Sequence, residues 1–175
     1  MMMEQVILVD ELDNEIGTKE KMQAHREALL HRAFSVFIFN KKGELLLQRR
    51  ALNKYHSPGL WTNTCCSHPR PNEPLMDAAK RRLVEEMGFD CDLFYQFNFI
   101  YKASLDQGMT EHELDHVYFG TYEGEFNLNP DEVAECKFIS MHELDISIKE
   151  QPKLYTEWFK IVFEKVKNAY HEYYY

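Results

Sequence analysis

The strongest constraint on the fold lies in residues 75–87, which form the clearest amphipathic helix in the sequence. Apolar residues recur there at every fourth position, on one face of a helix: Leu75, Ala79, Leu83 and Met87. Gly88 follows directly, at the position where a glycine commonly ends a helix in a left-handed conformation. The spacing therefore predicts a helix over 75–87 whose apolar face must pack on another layer of structure.

The chain on both sides of this helix predicts short strands. Residues 32–40 and 44–50 are rich in aromatic and aliphatic side chains, and residues 41–43 between them are typical of a turn. These two segments predict a β-hairpin. Further strands are predicted at residues 4–10, 61–66, 91–101 and 111–122.

Three other segments favour helices. Ser140 precedes Glu143 by three residues, a capping-box pattern that predicts a short helix. Residues 152–170 predict a long amphipathic helix, and residues 19–26 are polar and helix-prone. Strands and helices in this order predict an α+β fold.

The composition is that of an ordinary globular protein. The chain has 175 residues, 45% of them hydrophobic, which predicts one domain over residues 1–175. No apolar run approaches the roughly 18–20 residues of a membrane span, and the start Met1-Met2-Met3-Glu4 does not resemble a signal peptide. We therefore expect a cytoplasmic protein, away from membranes, whose four cysteines are reduced. The net charge of −9 argues against nucleic-acid binding, whereas an anionic substrate requires cations gathered locally.

The predicted helix over 75–87 ends with two acidic residues. Glu85 and Glu86 lie beside the partial negative charge of the helix terminus, where each acid costs about 0.3–1 kcal/mol. Arg81 and Arg82 stand four residues before them and can form i,i+4 ion pairs. Two interpretations follow: a solvated, salt-bridged face, or carboxylates that are compensated by a bound cation.

These residues belong to a longer pattern. Residues 67–89 resemble the Nudix box, which has the form G-x5-E-x7-R-E-U-x-E-E-x-G-U, with U a bulky apolar residue. The matching positions are Glu73, Arg81, Leu83, Glu85, Glu86, Gly88 and Phe89. Ser67 replaces the leading glycine, and Arg82 replaces the first glutamate of the R-E pair. That glutamate is among the metal-binding carboxylates of Nudix hydrolases, so its exchange for a cation suggests a site that holds a phosphate without cutting it.

Blocks outside the box sharpen the resemblance. W-T-N-T-C-C-S-H-P at residues 61–69, E-H-E at residues 111–113 and W-F at residues 158–159 occur in the order found in type I isopentenyl-diphosphate isomerases. The resemblance spans about residues 4–165. It implies a Nudix-type α/β/α sandwich around a mixed β-sheet. It also implies the interconversion of isopentenyl and dimethylallyl diphosphate, a step of isoprenoid biosynthesis, by protonation and deprotonation.

The same resemblance implies two metal ions. The positions that match the family's metal ligands are His25, His31, His68, Glu111 and Glu113. On a strand, Glu111 and Glu113 would share one face, about 7 Å apart along the backbone. Three imidazoles with two carboxylates suit Mn²⁺ or Zn²⁺, with Mg²⁺ as an alternative. Glu86 would hold a second ion, Mg²⁺, together with the diphosphate.

The resemblance also assigns the chemistry to particular side chains. Cys66 and Glu113 match the family's catalytic residues, and Trp158 matches an aromatic of its active site. The resemblance further implies that Glu113 exchanges a proton with the alkene through the Tyr101 hydroxyl. An indole face can stabilise a developing positive charge by about 0.5–2 kcal/mol. The positions that match phosphate contacts are Lys21, Arg50, Lys54 and Arg82. Cys65, next to Cys66, is expected to be a small buried apolar residue.

Other interpretations stay open at this point. A Nudix diphosphate hydrolase needs Arg82 to replace a dispensable carboxylate, and a metal-stabilised binding module would keep only the fold. Residues 112–116 spell H-E-x-x-H, the zinc-protease signature, which requires a helix, whereas the residues that follow favour a strand. The remaining histidines are predicted to be surface or packing residues: His56, His112, His116, His142 and His171. We expect a monomer or weak dimer that binds a small molecule.

Overall fold

The computed structural model describes residues 3–175, and a nine-stranded β-sheet runs through them. Met1 and Met2, the start of the segment that was compared with a signal peptide, lie outside the described residues. The strands are β1 Gln5–Val9, β2 Glu15–Glu20, β3 His31–Phe39, β4 Leu45–Arg50, β5 Trp61–Thr62, β6 Cys65–Ser67, β7 Leu93–Ser104, β8 Thr110–Thr121 and β9 Val133–Ile139. The helices are α1 Lys21–Arg26, α2 Leu75–Met87, α3 Met141–Glu150 and α4 Glu157–Tyr174, with 3₁₀ turns at Asp106–Gly108 and Pro152–Leu154.

The sheet is mixed, as predicted. Its central pair, β3 and β8, is parallel and runs in register from His31 opposite Glu113 to Phe39 opposite Thr121. The other strand pairs are antiparallel: β7 on β8, β1 on β3, β2 on β1, β4 and β6 on β3, and β5 and β9 on β4. The parallel pair thus has antiparallel strands on both sides.

Helices cover both faces of this sheet. On β3, Phe37 and Phe39 point to a cluster that contains Phe159 and Val162 of α4. Phe34, Val36 and Ile38, at the alternate positions, pack on the other face against Leu83 and the rest of the apolar side of α2. Each buried side chain of this size contributes about 1.5–3 kcal/mol. The alternation along one strand therefore produces the predicted α/β/α sandwich.

The helix predicted over 75–87 has the same bounds in the structure. Gly88 ends it in the left-handed region, with φ of 78°, and its N–H donates to the carbonyl of Val84 at 3.0 Å. Arg81 reaches back to Glu73 with two hydrogen bonds of 2.7 and 2.8 Å. Pro74 provides no side-chain cap at the start of the helix. The bonds between Arg81 and Glu73 connect the helix to the loop before it instead.

The predicted hairpin is correct only at its turn. Asn40 accepts hydrogen bonds from the N–H groups of Lys42 and Glu44, and Phe39 pairs with Leu45. Beyond this pair β3 and β4 diverge, because β6 inserts on β3 while β5 and β9 pair with β4. Strand β6, which contains Cys65 and Cys66, lies in the gap between the diverging strands, near the centre of the molecule.

The other differences from the sequence prediction concern three segments. Strands β2 and β9 were not predicted, since β2 is largely exposed and lacks an apolar face. The extended segment 61–66 is divided, because the amide of Asn63 turns inward to the carbonyls of Val36 and Cys65. The last helix starts at Glu157, after a 3₁₀ turn that begins at Pro152. Within residues 3–175 no helix is long and apolar enough to cross a membrane.

Candidate active site

A cavity of about 60 Å³ collects nearly all of the predicted site residues. Of those residues only His31 does not line it, since this side chain lies fully buried behind the wall. The predicted residues that line the cavity are Lys21, His25, Arg50, Lys54, Cys66, His68, Arg82, Glu86, Tyr101, Glu111, Glu113 and Trp158. Residues far apart in the sequence therefore converge on one place.

Strand register explains why the reactive groups face the same side. Cys66 lies opposite Ser35, and His31, four residues earlier on β3, lies opposite Glu113. Tyr101 lies opposite Glu113 on the other side. Paired residues share a face of a sheet, and so do residues an even number apart on one strand. The thiol, the carboxylate and the phenol thus project from one face of the sheet.

Three histidines and one glutamate form a compact buried group. Each of His25, His31, His68 and Glu113 offers one ligand atom, and these atoms lie within 4.8 Å of one another. Nε2 of His68 is 2.9 Å from Oε1 of Glu113 and 3.2 Å from Nε2 of His31. Glu111 lies outside this group of four. It is linked to the group through Tyr101, whose hydroxyl lies 2.8 Å from Glu111 Oε2 and 2.7 Å from Glu113 Oε2.

The protonation of these histidines suits a metal ion. Nδ1 of His25 donates to the carbonyl of Lys21 at 2.7 Å, and Nδ1 of His31 donates to the carbonyl of Leu29 at 2.8 Å. Nε2 is therefore the nitrogen that each of these rings can offer to a metal ion, as in many histidines that ligate metals. Burial lowers the pKa of His25, and burial lowers the pKa of His68 to about 4 against the opposing effect of Glu113. Neutral imidazoles that converge on a carboxylate fit a divalent cation.

The two carboxylates have pKa values shifted in opposite directions. Burial, and next the charge of Glu113, raises the pKa of Glu111 well above its ordinary range. Burial also acts to raise the pKa of Glu113, but hydrogen bonds with His31 and His68 outweigh it and lower that pKa well below the usual value. The Tyr101 hydroxyl lies between an acid and a base, and burial raises its own pKa. Such an arrangement can pass a proton along short hydrogen bonds.

Cys66 faces the cavity as a thiol rather than a thiolate. Burial raises its pKa well above the ordinary value, and the charge of Glu86 acts in the same direction, partly opposed by Arg50. A thiol that lines a cavity and keeps its proton is a potential proton donor. Cys65 points to the opposite side of β6, where its thiol donates to Glu86 Oε2 at 2.8 Å. Cys65 is thus buried as expected, but it is also hydrogen-bonded.

The cationic residues of the cavity are held by carboxylates and aromatic rings. Lys21 is 3.2 Å from Glu4, and Lys54 is 2.7 Å from Glu132. Nη2 of Arg82 lies 3.6 Å from Glu86 and 3.5 Å from Glu132. The guanidinium of Arg50 lies 5.3 Å from the centre of the Trp158 ring.

Several donors in this wall lack a partner. The buried Nε atoms of Arg50 and Arg82 and Nε1 of Trp158 have none. Buried donors without a partner are costly, by about 1–3 kcal/mol each. A polar ligand in the cavity could satisfy those that it reaches.

Comparison with known proteins assigns the family. A family model described as NUDIX domain matches residues 29–159. Isopentenyl-diphosphate Delta-isomerase 2 of Aromatoleum aromaticum is 51% identical over 94% of this chain and 87% of its own length. The chain belongs to the isopentenyl-diphosphate Delta-isomerase family. A further member, from Pectobacterium atrosepticum, is 48% identical over 95% of this chain and 93% of its own.

Solved structures of more distant proteins share the fold of this isomerase-family chain. A crystal structure of a Deinococcus radiodurans protein has a TM-score of 0.78 at 17% identity and covers 93% of this chain and 98% of its own. A MutT protein of Methanosarcina mazei has a TM-score of 0.66 at 20% identity, over 83% of this chain and 96% of its own. At this identity the likeness concerns the fold alone.

The zinc-protease interpretation of residues 112–116 is wrong for this family member. The segment lies in the strand β8, so His112 and His116 are on the face opposite Glu113. Nδ1 of His112 bonds to the carbonyl of Ala28, and Nε2 of His116 is 3.0 Å from Asp13. The three residues of the motif therefore do not converge on one ion.

Four residues of the cavity wall were missed by the sequence prediction: Tyr55, His56, Ser67 and Glu132. His56 was expected to be a surface or packing residue, and it is buried, but it also faces the cavity. Tyr55 and His56 follow Lys54 directly in the sequence, and Ser67 follows Cys66. This closeness to predicted site residues could have indicated that they line the cavity too. Glu132 lies in a loop with no local pattern, and only its ion pairs with Lys54 and Arg82 reveal it.

Proposed function

We propose that this isomerase-family enzyme interconverts isopentenyl diphosphate and dimethylallyl diphosphate by adding a proton to one carbon and removing a proton from another. The observation that supports this proposal best is that the protonated Cys66 thiol and the buried Tyr101–Glu113 hydrogen bond lie on one cavity. Protonation of an unactivated alkene produces a tertiary carbocation, which needs an acid, a base and a dry site.

In this proposal Cys66 and Glu113 exchange the protons. The Cys66 thiol keeps its proton because burial raises its pKa, so Sγ can deliver a proton to the alkene or return one. Tyr101 donates to Glu113 at 2.7 Å, and its hydroxyl oxygen faces the cavity. Tyr101 therefore links Glu113 to the hydrocarbon and passes the second proton between them.

The His25, His31, His68 and Glu113 group would hold one divalent ion, with Glu111 as a fifth ligand. Mn²⁺ or Zn²⁺ suits this set of donors best, and Mg²⁺ is the alternative. Glu86 would hold a second ion, Mg²⁺, with the diphosphate. These cations would lower the proton affinity of the groups around them and screen the substrate's negative charge.

Positive residues of the cavity would bind the diphosphate. Lys21, Arg50, Lys54 and Arg82 line it, and guanidinium groups can hold phosphate oxygens with two bonds. In the free protein Arg50 lies over the Trp158 ring. A phosphate bound to Arg50 would neutralise the guanidinium beside the indole, which would then stabilise the positive charge that develops on the substrate by about 0.5–2 kcal/mol.

A diphosphate hydrolase is the alternative, and one incubation distinguishes it. The protein is mixed with isopentenyl diphosphate and Mg²⁺, and dimethylallyl diphosphate and free phosphate are assayed separately. We expect dimethylallyl diphosphate without phosphate release. Release of phosphate without the isomer would refute the proposal, and a metal-stabilised binding module would produce neither.

We propose further that residues 1–175 act as one domain in the cytoplasm, as a monomer or weak dimer. The enzyme would act on its small-molecule substrate without nucleic acid or membrane. The net charge of −9 supports the absence of nucleic acid. Sedimentation equilibrium checks the size of the particle, and a tetramer would contradict this part of the proposal.

A further inference from the structure

His56 lies in the cavity wall, beside Trp158. Its side chain is only 5% exposed, and its ring meets the indole edge-on, with 5.8 Å between ring centres and 83° between planes. Perpendicular aromatic pairs of this kind are attractive beyond the area that they bury. His56 therefore covers the indole at the end of the cavity where the proposed function places the developing positive charge.

The loop that carries His56 is fastened at several points. The guanidinium of Arg50 donates to the His56 carbonyl at 3.1 Å, and the Gly59 N–H donates to the Arg50 carbonyl at 3.1 Å. The Ser57 N–H donates to a carboxylate oxygen of Asp106 at 3.0 Å, on the turn between β7 and β8. Ser57 itself has φ of 49°, a left-handed conformation that persists only where surrounding contacts hold it. These contacts hold the imidazole over the cavity.

The imidazole carries no charge at neutral pH. Burial lowers the pKa of His56 to about 3, and the positive charges of Arg50 and Lys54 act in the same direction. His25 and Lys21 lower it further, and Asp106, which contacts the neighbouring Ser57, is the acid on the facing turn. A neutral ring can lie beside a carbocation without repelling it, whereas an imidazolium would raise its energy.

We propose that His56 is a positioning residue that holds the Trp158 indole and excludes water from the carbocation. The inference rests on the proposed function, because it concerns the intermediate of that reaction. The carbocation can lose a proton to give the isomer. Alternatively, a water oxygen can donate its electron pair to the tertiary carbon, forming a C–O bond, and then release a proton to the medium. This second route gives the tertiary alcohol 3-hydroxy-3-methylbutyl diphosphate, which a dry cavity prevents.

The experiment measures the ratio of the two products. Isopentenyl diphosphate is incubated with the metal-loaded enzyme in water enriched in ¹⁸O, and the isomer and the labelled alcohol are quantified by mass spectrometry. The variants are His56→Ala, which opens the wall, and His56→Phe, which restores an aromatic edge without a titratable nitrogen. His142→Ala, an exposed histidine on α3, is the matched control.

We expect His56→Ala to form the labelled alcohol as a measurable fraction of the product and to lose about tenfold in kcat, with a smaller change in KM. His56→Phe should return both values to near those of the unaltered enzyme, and His142→Ala should match that enzyme. Unaltered product ratios in His56→Ala, or failure of His56→Phe to restore them, would overturn the proposal.

Two controls separate the other causes of failure. If the unaltered enzyme forms no dimethylallyl diphosphate, the proposed function fails, whatever His56 does. If circular dichroism shows that His56→Ala does not fold, Asp106→Ala replaces it, since this change releases the loop at Ser57 without altering the imidazole. Alcohol formation by Asp106→Ala supports the proposal, and its absence overturns it.

Discussion

The thiol of Cys65 donates a hydrogen bond of 2.8 Å to Glu86 Oε2, while the next residue, Cys66, lines the candidate active-site cavity. Neighbours on a strand point to opposite faces, so two adjacent cysteines have different surroundings. Cys65 supports a carboxylate at the end of α2, and Cys66 is the group proposed to exchange a proton. Substituting each cysteine in turn therefore tests whether the proposed proton exchange depends on Cys66.

Cys66→Ala should abolish isomerisation while the fold and the metal content stay nearly intact. Alanine fills most of the space but has no exchangeable proton, so the step that protonates the alkene is lost. The measurement is the rate of dimethylallyl diphosphate formation, with circular dichroism and elemental analysis on the same sample.

Cys65→Ala is the matched variant. It should keep most of the isomerase activity and lose about 1–3 kcal/mol of stability at most, because Glu86 loses one of its donors. Comparable activity in Cys66→Ala, or an equal loss in a folded Cys65→Ala, would contradict the assignment of Cys66.

His25→Ala should release the divalent ion. The unaltered protein should retain about one ion per chain after exhaustive dialysis, since four buried ligand atoms converge within 4.8 Å. Removal of one imidazole should weaken binding by at least about tenfold. Elemental analysis after dialysis measures the content, and His142→Ala serves as the control. Equal metal content in His25→Ala would show that these residues do not hold the ion.

Arg82→Ala should raise KM for isopentenyl diphosphate by about tenfold to a hundredfold, with a smaller effect on kcat. A charge-assisted bond to phosphate contributes about 1.5–3 kcal/mol, which corresponds to that range. Steady-state kinetics separate KM from kcat. Arg82→Glu should bind the substrate worse still, without becoming an efficient hydrolase.

Arg81→Ala is the control for this prediction. Arg81 is the neighbouring cation, but it bonds to Glu73 and Glu85 and does not line the cavity. Its loss should lower stability and leave KM nearly unchanged. If KM is also unchanged in Arg82→Ala, Arg82 only neutralises Glu85, Glu86 and Glu132.

Stability should fall with decreasing pH in part because of His56. Its pKa is about 3 in the folded protein and about 6.5 in the unfolded chain, so below pH 6.5 the unfolded chain binds the proton that the folded protein rejects. The contribution of His56 to stability is therefore present above pH 6.5 and is lost progressively as the pH falls toward 3. Urea unfolding of His56→Gln, compared with the unaltered protein at pH 7.5 and 4.5, measures it.

We expect the unaltered protein to lose about 1–3 kcal/mol more than His56→Gln between these two pH values. The glutamine has no titratable group, and the other histidines contribute equally to both proteins. Parallel losses in the two proteins would show that His56 is protonated in the folded state as easily as in the unfolded chain.

Gly88→Ala should destabilise the protein by about 2–5 kcal/mol. A left-handed conformation costs an alanine about 1–2 kcal/mol, and the added Cβ would overlap the backbone of Asn127 at a further cost of about 1–3 kcal/mol. Gly108→Ala is the matched control, because it has φ of 71° and open space around the added Cβ. Urea unfolding should show a clearly smaller loss of stability for Gly108→Ala than for Gly88→Ala. Equal losses would show that the overlap with Asn127 does not contribute to the destabilisation by Gly88→Ala.

Local features could be predicted from the sequence because their causes are local. The helix over residues 75–87 depends on apolar spacing and on Gly88, and Ser140 caps α3 through the N–H of Glu143, as the motif predicts. The box around Arg82 and the block around Cys66 were also readable, since each lies within one short segment. Together with the other matching blocks they carried the resemblance that predicted the fold, the family and most of the residues that line the cavity, whereas Tyr55, His56, Ser67 and Glu132 were missed.

Only the tertiary structure decided how these pieces meet. His68 and Glu113 are 45 residues apart in the chain, and their contact depends on the parallel register of β3 and β8 and on β6 entering between diverging strands. No local periodicity encodes such a register. For the same reason Glu132, His56 and the exposed strand β2 escaped prediction. Their positions depend on ion pairs, ring contacts and backbone hydrogen bonds with distant residues, and these form only when the whole chain folds.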